Sequence, residues 1–90
     1  MAHVVVTLTF VDGPPTPDVA GAQKEFLERL RADGLLGLTG GFTDGVGGMA
    51  VLRGLSPDEV ATRYRDSPIV RAGQATVAVR EWNIQIGAIA

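Results

Sequence analysis

No cysteine occurs in this chain, so neither a disulfide framework nor a thiolate metal site is available to it. Histidine appears once, at His3, and a lone imidazole without neighbouring carboxylates is no metal site. Tyrosine and tryptophan also occur once each, as Tyr64 and Trp82. No run approaches the roughly 18 apolar residues that span a bilayer. The opening MAHVVVTLTF lacks the basic segment of a signal peptide. A basic excess is missing too: 8 Lys and Arg stand against 10 Asp and Glu, which argues against a general nucleic-acid binder. The expectation is a soluble cytoplasmic protein that uses no cofactor or metal and binds neither nucleic acid nor membrane.

What is present is apolar. Of 90 residues, 46% are hydrophobic and only 20% charged, so few side chains are available to cover the surface of a small domain. Residues 1–90 read as one domain, with no linker or repeat. His3 to Phe10 alternates as a strand: Val4, Val6, Leu8 and Phe10 form a strongly apolar face, and His3, Val5, Thr7 and Thr9 a milder one. The first face belongs under helices. The second suits a cavity wall or a subunit contact.

Thr16 and Pro17 then read as a cap followed by proline at the first helical position. At about 100° per residue, Val19, Ala22, Phe26, Leu27 and Leu30 fall on one side of this helix. Gln23 sits among them and is the one polar residue out of pattern. Gly34 ends the helix. Leu35 to Leu38 and Met49 to Leu52 read as short strands joined by TGGFTDGVGG. That connection lacks the Lys-Ser/Thr of a P-loop and the strand-to-helix setting of a dinucleotide site. It reads instead as a mobile hairpin loop, or as a lid over a neighbouring pocket.

Ser56, Pro57 and Glu59 open a second helix with a capping box, and Val60, Ala61 and Tyr64 supply its inner side. Ser67 and Pro68 repeat the cap-plus-proline start for a short turn of helix that Gly73 stops. Ala75 to Ile86 reads as the last strand, and its position suggests a central member of the sheet. On it Thr76, Ala78, Arg80 and Trp82 share one face.

The order strand, helix, strand, strand, helix, strand gives an α+β, ferredoxin-like βαββαβ fold. It is a four-stranded antiparallel sheet with two main helices on one face. The uncovered face would expose apolar side chains at a cost of about 1.5 kcal/mol each. Packing against an identical sheet removes that cost, so a homodimer is expected, with higher oligomers left open. The apolar C-terminal NIQIGAIA is expected to dock, across that dimer if it forms.

This order of elements, with Gly34 to Gly40, SPIVRAG at Ser67 to Gly73 and the later Trp82, resembles the YciI-like (YCII-related) proteins of the dimeric α+β barrel group. The resemblance covers nearly the whole chain. In that family a helix carries an inward histidine, and an aspartate precedes the proline of a D-P-aromatic-V-x-A-G segment. Here those positions hold Gln23 and Ser67, with Asp66 one place earlier. A histidine–carboxylate pair is a workable general base; glutamine and serine are not one near neutral pH. The resemblance implies cofactor-free elimination or isomerisation on a small enolic or aromatic compound. The loss of both dyad residues implies instead a non-catalytic small-molecule-binding or structural dimer.

Several residues are candidates for a site. Gln23 is either a hydrogen-bonding contact to a ligand or a buried polar group satisfied by the backbone. His3 and Asp66 are the remaining acid–base candidates, against an exposed strand end and an exposed turn. Ser67 is a helix cap or a ligand contact. Thr7, Arg80 and Trp82 offer a polar contact, an anion contact and an aromatic wall, against a role in packing and interface. Catalysis in such a site would rest on positioning and on hydrogen bonds from Gln23, with His3 assisting.

Overall fold

A computed structural model describes residues 3–87. It contains β1 (His3–Phe10), α1 (Pro17–Ala32), β2 (Leu36–Gly41), β3 (Gly47–Leu52), α2 (Pro57–Arg65), α3 (Pro68–Arg71) and β4 (Ala75–Trp82). The four strands form one antiparallel sheet in the order β2-β3-β1-β4. This is the expected α+β ferredoxin-like arrangement.

Strand alternation decides which side chains go under the helices. Val4, Val6 and Leu8 of β1 stand opposite Leu52, Ala50 and Gly48 of β3, and opposite Glu81, Val79 and Val77 of β4. Val4, Val6, Ala50 and Leu52 meet Leu30 of α1 and Val60 and Tyr64 of α2 in the core. Phe26 packs edge-on against Tyr64, with ring centroids 5.2 Å apart. The other face carries His3, Val5 and Thr7, the β3 residues Met49 and Val51, and Ala78, Arg80 and Trp82 of β4.

Three details differ from the sequence expectation. First, β4 is an edge strand, because β1 and β3 take the centre of the sheet. It also stops at Trp82, opposite His3, the first described residue of its partner. Second, half of the glycine-rich connection is strand. Thr39, Gly40 and Gly41 extend β2, and Gly47 and Gly48 begin β3, leaving only residues 42–46 for the turn. The reason is close backbone approach: a Cβ on Gly48 would stand 2.7 Å from the Gly40 carbonyl oxygen, and one on Gly47 would run into that of Leu8.

Third, only one of the three helix starts uses its side-chain cap. Ser56 and Glu59 form the expected capping box. Thr16 instead trades hydrogen bonds with Gln74: its N–H donates to Oε1 at 2.9 Å, and Nε2 donates to its Oγ1 at 3.2 Å. That exchange ties the start of α1 to the start of β4. Ser67 does not cap α3; its Oγ donates to the Tyr64 carbonyl at 2.7 Å and so closes the end of α2. Of the C-terminal stretch expected to dock, Ile86 is exposed, and residues 88–90 lie outside the described residues.

Candidate functional site

A cavity of about 290 Å³ lies between α1 and the helix-covered face of the sheet. Its walls are almost wholly apolar, built from Val6, Leu8 and Phe10 of β1, Leu27 of α1, Ala50 of β3 and Ile69 of α3. Gly40, Gly41, Gly47 and Gly48 form one end of it. Gly41 and Gly48 share the face of Leu8, so side chains at those two positions would project into this space, and their absence leaves room at this end. The volume suits a compact organic molecule of one or two rings, close to the small end of ligand pockets.

Gln23 faces this cavity from α1. Its residue is buried, and its Oε1 accepts the Ile69 backbone N–H of α3 at 3.1 Å. A backbone N–H can only donate, so that bond fixes which end of the amide is oxygen. The Nε2 end is left buried without a hydrogen-bond partner among the described residues. The expected backbone satisfaction is present, and it uses only one end of the amide. Gln23 satisfies a backbone group with one atom and holds a free donor pair with the other.

Tyr64 also borders the cavity, from α2. It has no accessible surface, and its hydroxyl likewise lacks a partner. Burial pushes its pKa up to about 12, so the phenol stays protonated and acts as a neutral donor. Sequence reasoning placed Tyr64 on the inner side of its helix but missed it as a site residue. The available signal was a lone tyrosine in an apolar stripe, whose hydroxyl must find a partner when buried. Among the described residues, Lys24 is the only ionisable side chain besides Tyr64 that lines the cavity, and it is exposed at the rim.

The other candidates lie elsewhere. His3, Thr7, Arg80 and Trp82 are on the uncovered face, where Thr7, Arg80 and Trp82 join Val5 and Met49 around an open hollow. The sheet separates them from Gln23. His3 pairs with Trp82, and its Nδ1 is buried without a partner among the described residues. Asp66 is exposed at the end of α2, and its backbone N–H donates to the Arg63 carbonyl. Ser67 is fully buried, with its hydroxyl spent on Tyr64. Among the described residues no helix is long and apolar enough to cross a membrane.

Comparison with known proteins places the chain more firmly. No family model matches it. It is 34% identical over 61 residues to the uncharacterized protein YjpA of Bacillus subtilis (strain 168), an alignment that takes in 68% of this chain and 72% of YjpA. The chain belongs to the YjpA family. Among solved structures, the YjpA-family fold seen here is similar to that of 5-chloro-2-hydroxyhydroquinone dehydrochlorinase (TftG) from Burkholderia phenoliruptrix AC1100, in complex with 2,5-dihydroxybenzoquinone. The TM-score is 0.65, with 21% identity over 89% of this chain and 93% of TftG. At that identity the likeness establishes a shared fold.

Proposed function

We propose that this YjpA-family protein is a small cofactor-free enzyme of the lyase or isomerase type. It acts on a cyclic or aromatic organic compound held between α1 and the sheet. The observation that carries the reading is the buried, partnerless Nε2 of Gln23 in an otherwise apolar cavity. An amide donor in such a place binds a ligand oxygen and polarises it, which helps any reaction that builds charge on that oxygen. The fold shared with TftG, a dehydrochlorinase whose structure contains 2,5-dihydroxybenzoquinone, supports small-molecule chemistry of this kind by analogy alone. The YciI-like resemblance supports it too, with Gln23 and Ser67 standing where that family has its acid–base pair.

Homodimerisation belongs to the same proposal. Leu38, Met49 and Trp82 are exposed on the uncovered face, and a second copy packed there would bury them. His3, Thr7 and Arg80 would then line that interface rather than the Gln23 cavity. Cytoplasmic location is part of the reading, on the composition of the sequence.

A second reading, a non-catalytic ligand-binding dimer, is favoured by one observation. Neither a carboxylate nor an imidazole lines the cavity, so no ordinary general base is at hand.

A thermal-shift screen of phenols, quinones and enol acids against wild type and Gln23→Ala tests the binding part. A ligand at 100 times its Kd should add about 2.7 kcal/mol to the wild type. The shift should vanish in Gln23→Ala. Gln23→Glu, which keeps an acceptor for the Ile69 N–H, serves if the alanine variant does not fold. Incubating each hit and following its disappearance by chromatography then separates enzyme from binder. A hit that Gln23→Ala leaves untouched would remove Gln23 from the site.

A further inference from the structure

Tyr64 was assigned no role above, yet it is the second buried polar group on the cavity and its hydroxyl is partnerless. We propose that the Tyr64 hydroxyl and the Gln23 amide are a pair of donors that select an uncharged ligand bearing two hydrogen-bond acceptors, such as a cyclic dione. This rests on the reading of the cavity as a ligand site and names what the site accepts.

The chemistry of the two groups sets the ligand's polarity. Gln23 Oε1 is already engaged by the Ile69 N–H, so the unsatisfied part of the amide is its N–H donors. Tyr64 is held neutral by burial and presents O–H. Both groups donate, so the ligand must accept. A ligand donor would find fewer openings: the phenol oxygen, the second lone pair of Gln23 Oε1 and the Thr39 hydroxyl, whose own proton is given to the Met49 carbonyl.

The walls set the ligand's charge. Val6, Leu8, Phe10, Leu27 and Ile69 offer nothing to a carboxylate, and the single cation, Lys24, stays in solvent at the rim. Moving an anion into such a cavity strips its hydration and returns only the two neutral donors, with no counter-charge. A ketone or quinone oxygen loses far less. The preference is therefore for carbonyl compounds over the corresponding acids.

The arrangement also has a signature in the free protein. A buried hydroxyl without a partner costs stability, so removing it should not weaken the fold. A hydroxyl held by a buried water would behave in the opposite way, and a ring kept for packing alone would show unaltered stability together with unaltered dione binding. The phenylalanine variant thus distinguishes a binding role from a structural one.

The test is a titration of ¹⁵N-labelled protein with cyclohexane-1,4-dione, with benzoate as the anionic probe, following the Gln23 side-chain NH₂ resonances. Tyr64→Phe should unfold at the same or a higher urea concentration than wild type, and should bind the dione about five- to tenfold more weakly. Benzoate should leave the Gln23 resonances unmoved in either protein. Gly41→Val is a second variant. A Cβ at Gly41 meets nothing closer than the Gly47 carbonyl oxygen at 3.8 Å, so the position accepts a Cβ, and the methyls of valine beyond it should narrow the cavity end and abolish dione binding.

Unaltered dione binding by Tyr64→Phe, a lower urea midpoint for that variant, or benzoate binding as tight as the dione would each overturn the donor pair while leaving Gln23 as a ligand contact. Binding unaffected by Gly41→Val would put the dione outside this cavity and overturn it as well. If neither these probes nor any hit from the screen moves the Gln23 resonances, the ligand-site reading falls with it.

Discussion

The two faces of the sheet come from the same strands and have different fates. Under α1 and α2, Val4, Val6, Ala50 and Leu52 are fully packed, and the one gap among them holds two free donors. On the other side Val51 is buried, but Leu38, Met49 and Trp82 stay in solvent, and the polar groups are His3, Thr7 and Arg80. Alternation along β1 makes both surfaces from neighbouring residues. A mildly polar strand face is thus a poor guide to where a site lies. Here the more apolar pocket sits on the more apolar face, and its polar groups are Gln23, Lys24 and Tyr64 of the helices with Thr39 of β2.

Substitutions can break that comparison in order of size. The largest effect should come from Leu52→Ala beneath the helices, at about 2–5 kcal/mol in urea unfolding, against less than about 1 kcal/mol for Leu38→Ala on the open face. Equal losses would mean that the open face is as well packed as the covered one. Next, Gly47→Ala should cost about 3 kcal/mol by forcing β3 away from β1, whereas Gly41→Ala should be close to neutral. The contrast would show that the glycines of one hairpin serve separate ends.

A pH titration sharpens the difference between the faces. Tyr64 has its folded pKa raised from 10.0 to about 12, so the neutral form is the one the fold prefers. Stability from this preference is complete below pH 10 and is lost as pH rises toward about 12, by about 2–3 kcal/mol in all. Tyr64→Phe should lack that part of the alkaline loss. Ser67→Ala should cost about 1 kcal/mol, because its bond to the Tyr64 carbonyl is buried. Smallest of all, Trp82→Ser should leave the stability of a single subunit within about 0.5 kcal/mol. Sedimentation would then show whether it nonetheless abolishes a dimer built on the open face.

Much of this architecture was legible in the residues. The strand faces of β1, the capping box at Ser56, the stops at Gly34 and Gly73 and the polar intruder Gln23 all follow from local chemistry. The misreadings share a cause. Glycines 47 and 48 look like loop until β1 and β2 are known to press against them, and Gly40 and Gly41 look like loop until they are paired with β3. Ser67 looks like a helix cap until the Tyr64 carbonyl turns out to be nearer. Tyr64 looks like core until its hydroxyl proves to have no partner. Each depends on a neighbour distant in sequence or on a direction within a turn, and neither is written in a one-dimensional pattern.

The sole tyrosine borders the pocket beneath the helices and the sole tryptophan stands on the opposite side of the sheet. The protein therefore carries one intrinsic chromophore for each surface. Indole emission will respond to whatever comes to rest on the strands from outside, and the phenol's ultraviolet absorption to whatever enters beneath the helices. Assembly and occupancy can be followed in one cuvette, without a label and without confusing one event for the other.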